Sequence, residues 1–150
     1  IVNSLSLVPE ELEKFNFERF ERYKQVEENE VMYEEFMMDD AEICIVAFGI
    51  ASRVSKNAIL EARKQGIKVG LLRPITLWPF PKKALKEASK KVKSFLSVEL
   101  NMGQMIDDVK LAIDCSKPVY LCNRTGGVIM STDEVLNKII EITKGEAKAW

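Results

Sequence analysis

Histidine does not occur in this sequence. Its absence removes the side chain that most often serves as general base and as metal ligand near neutral pH. A Ser-His-Asp or Cys-His catalytic site is therefore excluded, and a zinc centre is disfavoured. Cysteine is scarce: there are three, Cys44, Cys115 and Cys122, and no two form a C-x-x-C pair. Three scattered thiols complete neither a disulfide framework nor a four-thiolate cluster site. Each lies in or beside an apolar stretch, so all three are expected to be buried structural residues, a usage that fits a reducing cytoplasm. No apolar run nears the roughly 20 residues that cross a bilayer, and no basic leader followed by an apolar stretch is visible. The first residue is Ile1, and the chain reads as a piece of a longer polypeptide. Lysine or carboxylate catalysis remains chemically open.

What is present suits one domain, or one domain with an appended segment: 150 residues, 47% hydrophobic and 30% charged. The net charge of −1 conceals a division. Positions 1–42 hold 13 acidic and 4 basic residues, whereas 43–150 hold 10 and 18. The change of sign coincides with a change of pattern near Asp40. Residues 1–40 are read as an acidic helical arm or linker, and 41–150 as the folded body. Positions 9–37 carry helical signals. Pro9 suits a first turn, and Glu10 and Glu11 favour the positive end of a helix dipole. Leu12, Phe15, Phe20, Tyr23 and Val26 form an imperfect apolar stripe. The stripe fits either a solvated acidic helix or an arm that packs on a basic body or a neighbouring subunit. An acidic arm, and a body without a dense cluster of basic residues and aromatics, argue against nucleic acid as a partner.

The body alternates strands and helices. Ile43-Cys44-Ile45-Val46-Ala47-Phe48 is a continuous apolar run ending at Gly49, as in a strand buried on both faces. A helix over 52–65 follows, stopped by Gly66. A second strand, 68–72, exits into Arg73-Pro74-Ile75-Thr76-Leu77-Trp78-Pro79-Phe80-Pro81, where three prolines in nine residues prevent a regular helix or a central strand. Pro81 opens a helix to about Lys91. A third strand, 95–98, leads through Glu99-Leu100-Asn101 to a helix over 102–114, with Asn101 placed to cap it. A fourth strand, 118–122, a turn at Arg124-Thr125-Gly126-Gly127, and a capping box opening at Ser131 complete the pattern. This is the signature of a three-layer α/β/α sandwich around a mostly parallel sheet.

The chemistry-bearing motifs are mostly missing. The first strand-to-helix turn has one glycine, Gly49, where a dinucleotide fingerprint needs three, although a helix start there can still attract an anion. There is no P-loop, and no Gly-Asp-Gly with a downstream Asn to hold thiamine-bound Mg²⁺. Asp39/Asp40 and Asp107/Asp108 are adjacent pairs, which do not face one another on a helix and read as surface residues. Three segments remain unusual for a plain core: Arg73 to Pro81 with Trp78 and Phe80, Glu99 to Gln104, and Asn123 to Gly127. Caps and turns explain these residues singly. They do not explain why Arg, Asn and Gln gather after strand ends, where partners and ligands collect in such folds.

Taken together, Val46-Ala47-Phe48-Gly49, the run from Gly66 to Pro81, Glu99-Leu100-Asn101-Met102-Gly103-Gln104-Met105 and Arg124-Thr125-Gly126-Gly127 resemble the C-terminal region of 2-oxoacid:ferredoxin oxidoreductase α subunits. The resemblance spans about residues 20–142, and the first seventeen residues match nothing in it. It implies a transketolase C-terminal fold with five strands, one of them antiparallel; the fifth is expected near Val128-Ile129-Met130. It also implies an enzyme complex that decarboxylates a 2-oxoacid, passes the acyl group to coenzyme A and reduces ferredoxin. Branched-chain 2-oxoacids are the expected substrates, with 2-oxoglutarate or pyruvate next. Thiamine diphosphate, Mg²⁺ and a [4Fe-4S] cluster would be held elsewhere in that complex. The expected partners are an N-terminal domain of the same subunit, a thiamine-binding β subunit and γ/δ subunits, with no membrane. The resemblance carries no catalytic, cofactor or metal residue into this chain. Its implied role is assembly, through an edge formed by Arg73, Trp78, Asn101, Gln104 and Arg124. A 2-oxoacid dehydrogenase β subunit or transketolase, and a free-standing small-ligand binding module, are the alternatives.

Overall fold

The computed structural model describes residues 5–150. The chain order is α1 (Pro9–Asn29), β1 (Tyr33–Phe36), β2 (Ile43–Val46), α2 (Gly49–Lys64), β3 (Val69–Pro74), α3 (Lys82–Ser89), β4 (Ser94–Glu99), α4 (Met105–Ala112), β5 (Val119–Asn123) and α5 (Thr132–Lys144). The five strands form one sheet in the order β1-β3-β2-β4-β5. Strands β2 to β5 are parallel, and β1 runs antiparallel to β3 with Glu34 opposite Arg73. Strands β2 and β4 are buried along their whole length, which is why they read as unbroken apolar runs.

Strand alternation feeds two cores. Cys44, Val46, Leu72 and Phe95 face α3 and α4, which supply Leu85, Ile106 and Val109. Ile45, Leu71, Leu96 and Val98 face α2 and α5, which supply Ile59, Ala62 and Ile139. Right-handed crossovers require this division. The chain leaves β2 toward β3 on one side and then returns across β2 to reach β4, so α2 and α3 cover opposite faces.

Three expectations need correction. The fifth strand is Tyr33–Phe36, not 128–130. Tyr33 and Phe36 are three apart, a spacing shared by helices, and so hid a half-buried edge strand. Helix α1 consequently ends at Asn29 and does not reach position 37. The 128–130 segment crosses over the strand ends, with Met130 buried and Val128 and Ile129 exposed. Finally, β3 continues through Arg73 and Pro74, because Pro74 pairs with Tyr33 at the last position of the ladder. Gly70 is required beside that junction: a Cβ there would lie 2.5 Å from the Met37 carbonyl oxygen and 2.7 Å from Met38 Sδ. Helix α1 buries none of its residues. It meets the body through the Tyr23 ring, edge-on to Trp78 at 5.2 Å, and through Glu27 to Lys82 at 3.7 Å.

Candidate functional site

Strands β2 and β4 lie side by side, yet α2 carries the chain toward β3 and α4 carries it toward β5. A reversal of this kind opens a crevice outside the strand ends, the usual place for a ligand in open α/β sheets. Its two walls are the starts of α2 and α4.

Glu99 sits at the base of the second wall. It ends β4 and is 1% exposed. One carboxylate oxygen, Oε2, accepts from the backbone N–H of Gln104 at 2.9 Å and of Met105 at 2.8 Å. The other, Oε1, accepts from Ile106 N–H at 2.9 Å and from the Ser97 hydroxyl at 2.8 Å. The opening amides of α4, which would otherwise hold an external anion, are thus satisfied by a carboxylate on the chain itself. The negative group also suits the positive end of the helix dipole. Asn101 does not cap α4, as its position suggested. Its Oδ1 accepts from Gly103 N–H and Gln104 N–H at 2.7 and 3.1 Å, closing the loop that precedes the helix. Asn123 donates from Nδ2 to the Asn101 carbonyl at 2.7 Å, tying the end of β5 to the same loop. Gly103 has φ 97°, and a Cβ there would stand 3.1 Å from Leu121. Reading the sequence by cap preferences missed Glu99. The available signal was an acid at the end of an apolar strand, a few residues before a helix.

Two small clefts flank this loop. One, of about 200 Å³, is lined by Ile50, Ala51 and Val54 of α2, Leu100, and the 124–130 segment. The other, of about 180 Å³, lies between Phe48, Leu77, Phe80, Asn101, Gln104 and Asp108. Asp107 and Asp108 are exposed, as the surface reading expected.

The five edge residues are placed unevenly. Asn101 and Gln104 share one cleft, and Arg124 borders the other. Arg124 is ion-paired with Glu134, which also completes the capping box with Ser131. Arg73 and Trp78 stand on the β1–β3 side. Arg73 Nη1 donates to Glu34 at 3.0 Å, and Lys56 Nζ donates to the same carboxylate at 2.5 Å. Lys56 first and Arg73 second hold the Glu34 carboxyl below the usual carboxylate range. Arg73 Nε is buried without a hydrogen-bond partner, and Trp78 is 54% exposed.

The thiols are separate. Cys44 is buried in β2, and burial pushes its thiol up to about 12. Cys122 in β5 is partly buried and raised for the same reason. Cys115 is exposed at a positive φ in the turn after α4, which corrects the expectation that all three are buried. Among the described residues no group of three or more His, Cys, Asp and Glu is placed to hold a metal ion. These residues do not fit an iron–sulfur cluster, and the filled amides of α4 do not fit a diphosphate. Among the described residues no helix is long and apolar enough to cross a membrane.

Comparison with known proteins agrees with this architecture. The model of the pyruvate:ferredoxin oxidoreductase core domain II matches residues 41–135. The ketoisovalerate oxidoreductase subunit VorB of Methanothermobacter marburgensis is 52% identical over 142 residues, covering 95% of this chain and 40% of that subunit. The chain therefore spans about two-fifths of the length of this curated relative. A solved 2-oxoglutarate:ferredoxin oxidoreductase from Magnetococcus marinus, with 2-oxoglutarate, coenzyme A and succinyl-CoA bound, superposes with a TM-score of 0.72 at 19% identity, over 91% of this chain and 24% of that one. A split-gene transketolase, in its inactive β4 tetramer, gives a TM-score of 0.58 at 14% identity, over 72% of this chain and 40% of that one. Both structures share the fold.

Proposed function

Because the chain belongs to the pyruvate:ferredoxin oxidoreductase core domain II family, we propose that it is the C-terminal domain of the α subunit of a 2-oxoacid:ferredoxin oxidoreductase. The observation that carries this reading is the family match over 41–135, which falls on the four parallel strands and on α2, α3 and α4. The whole enzyme would oxidatively decarboxylate a 2-oxoacid, transfer the acyl group to coenzyme A and deliver the electrons to ferredoxin. Identity of 52% to a ketoisovalerate oxidoreductase subunit favours a branched-chain 2-oxoacid as substrate.

This domain would contribute no reacting group. The opening amides of α4 in its strand-end crevice are satisfied by its own Glu99 carboxylate, and its thiols are apart. Thiamine diphosphate, Mg²⁺ and the [4Fe-4S] cluster would be bound by the N-terminal domain of the subunit and by β, γ and δ partners in the cytoplasm. The domain would hold that assembly together through the edge carrying Arg73, Trp78, Asn101, Gln104 and Arg124. Residues 1–40 would act as the arm leading into it.

The test is an anaerobic assay of the native complex, captured through this domain. Viologen reduction that needs coenzyme A and thiamine diphosphate, with preference for one 2-oxoacid, is the expected result. A complex that requires lipoamide or a sugar phosphate instead would move the domain to the dehydrogenase or transketolase branch. Loss of assembly in the Arg73→Ala, Gln104→Ala double variant is expected, and an unaffected complex would remove the five-residue edge from the reading.

A further inference from the structure

We infer that the rest of the same polypeptide is seated on an apolar crest over the C-terminal ends of the parallel strands, extended by one face of α1. The inference rests on the reading that this chain is one domain of a longer subunit. It differs from the edge of polar residues in what does the holding. Arg73, Asn101 and Arg124 each already hold a partner within the chain. Much of the exposed surface around them is hydrocarbon.

Each parallel strand contributes to the crest as it ends. Ile50 follows β2, Leu77 and Trp78 follow β3, Leu100 and Met102 follow β4, and Ile129 follows β5; all six are exposed. Met32 joins them from the β1 end, where Thr76 N–H donates to its carbonyl oxygen. A lone exposed apolar residue is ordinary, but contiguous patches beyond roughly a few hundred Å² on a soluble surface mark an interaction site. The opposite edge of the sheet exposes Met37 and Leu111, with charged side chains beside them. Glu42, Gln65, Lys68 and Lys93 line it, and Glu42 and Lys93 pair at 2.5 Å.

Helix α1 extends the crest. Its root is fixed there by the Tyr23–Trp78 contact, and Leu12, Phe15 and Phe20 carry exposed apolar surface onward from Tyr23. Glu10, Glu11, Glu18 and Glu21 fall away from that stripe. Only Asn16 and Arg19, which pair with each other, interrupt this stripe, and the Arg19 guanidinium lies over the Tyr23 ring. A free cation stands near the crest: Arg53, in the first turns of α2, is exposed and has no ion-pair partner among the described residues. The matching surface is apolar with a carboxylate opposite Arg53. The occupant is identified by length. The curated relative continues for three-fifths of its own chain beyond the part matched here, enough for a further domain.

The experiment uses the complete subunit in its native assembly. Cysteine replaces Phe15, Met102 or Ile129 in separate variants, all at exposed positions where the fold has nothing to lose. Maleimide labelling is timed against native Cys115, exposed near the other edge, with each rate normalised to the denatured subunit. The three crest thiols are expected to label more than about tenfold more slowly than Cys115. Labelling as fast as Cys115 overturns the inference. So does protection that fades on dilution, which would mean a second copy, or protection that vanishes when partner subunits are stripped from an intact subunit. An active assembly with fast crest labelling leaves the proposed function standing. Slow labelling in an assembly without 2-oxoacid oxidation supports the surface and removes that function.

Discussion

The two edges of the parallel sheet are finished in opposite ways. At the edge where the strands begin, exposed charges pair with one another: Glu42 with Lys93, Asp40 with Arg63, and Asp114 with Lys86. Where the strands end, a carboxylate is inside and large apolar side chains are outside. Glu99 is buried against the amides of α4, and Ile129, Met102 and Trp78 stand in the open. An exposed ion pair is at home in water and contributes little to stability. A buried carboxylate with four donors is costly to disturb, and an apolar crest is at home only under another surface. The contrast separates the edge that faces solvent from the edge that faces protein.

Four sets of substitutions probe it. The largest effect is expected at Glu99. Leucine there would leave the Met105 and Ile106 amides and the Ser97 hydroxyl without an acceptor, and Gln104 N–H with Asn101 Oδ1 alone, so Glu99→Leu should cost about 3–5 kcal/mol in urea unfolding. Glu99→Gln, which keeps one acceptor oxygen but turns an NH2 donor toward the other N–H groups, should cost less; equal losses would show that both carboxylate oxygens are needed to hold the start of α4. Next comes Gly70→Ala, buried near the start of β3, where the new methyl group meets Met37 and Met38. Overpacking of this kind should cost about 1–3 kcal/mol, read from the denaturation midpoint.

Acid should then act through the charged edge. Arg63 beside Asp40, and Lys93 beside Glu42, hold both carboxyls below their ordinary range. The stabilisation they give is present above the unfolded carboxylate pKa near ~4, and it is lost as pH falls through the lower folded value. The melting temperature of the native chain should therefore drop between neutral and acid pH by more than that of Asp40→Asn with Glu42→Gln. Equal drops would take the charged edge out of the acid response. The smallest effect belongs to the crest. Met102→Gln and Ile129→Gln should change the stability of the domain by no more than about 0.5 kcal/mol, because neither side chain is buried. A larger loss would mean that the crest supports its own fold.

Much of this was legible in the sequence. The four parallel strands, the alternation of helices and the capping box at Ser131 follow from local patterns, and local patterns survive folding when both faces of a strand are buried. Strand β1 did not announce itself, because an edge strand with one wet face and two glutamates looks like its acidic neighbourhood. Its membership in the sheet depends on Leu71, Leu72, Arg73 and Pro74, distant in sequence. The site was readable in place but not in detail. Three strand-end segments stood out by composition, yet the roles of Glu99 and Asn101 turn on which amides α4 leaves open, a fact of the helix start and not of either residue. The crest was hidden for a different reason. A leucine after a strand looks the same in sequence whether it turns inward like Met130 or outward like Ile129.

The antiparallel pairing of β1 with β3 also sets an order of events during synthesis. Glu34 leaves the ribosome 39 residues before its partner Arg73, and β2 and α2 are made in between. The first strand to emerge is thus seated late, on the outer side of the third. Until then it must stay soluble as an unpaired extended segment, and the glutamates at its centre, which obscure it to the reader of the sequence, are suited to keeping it from pairing with the wrong chain.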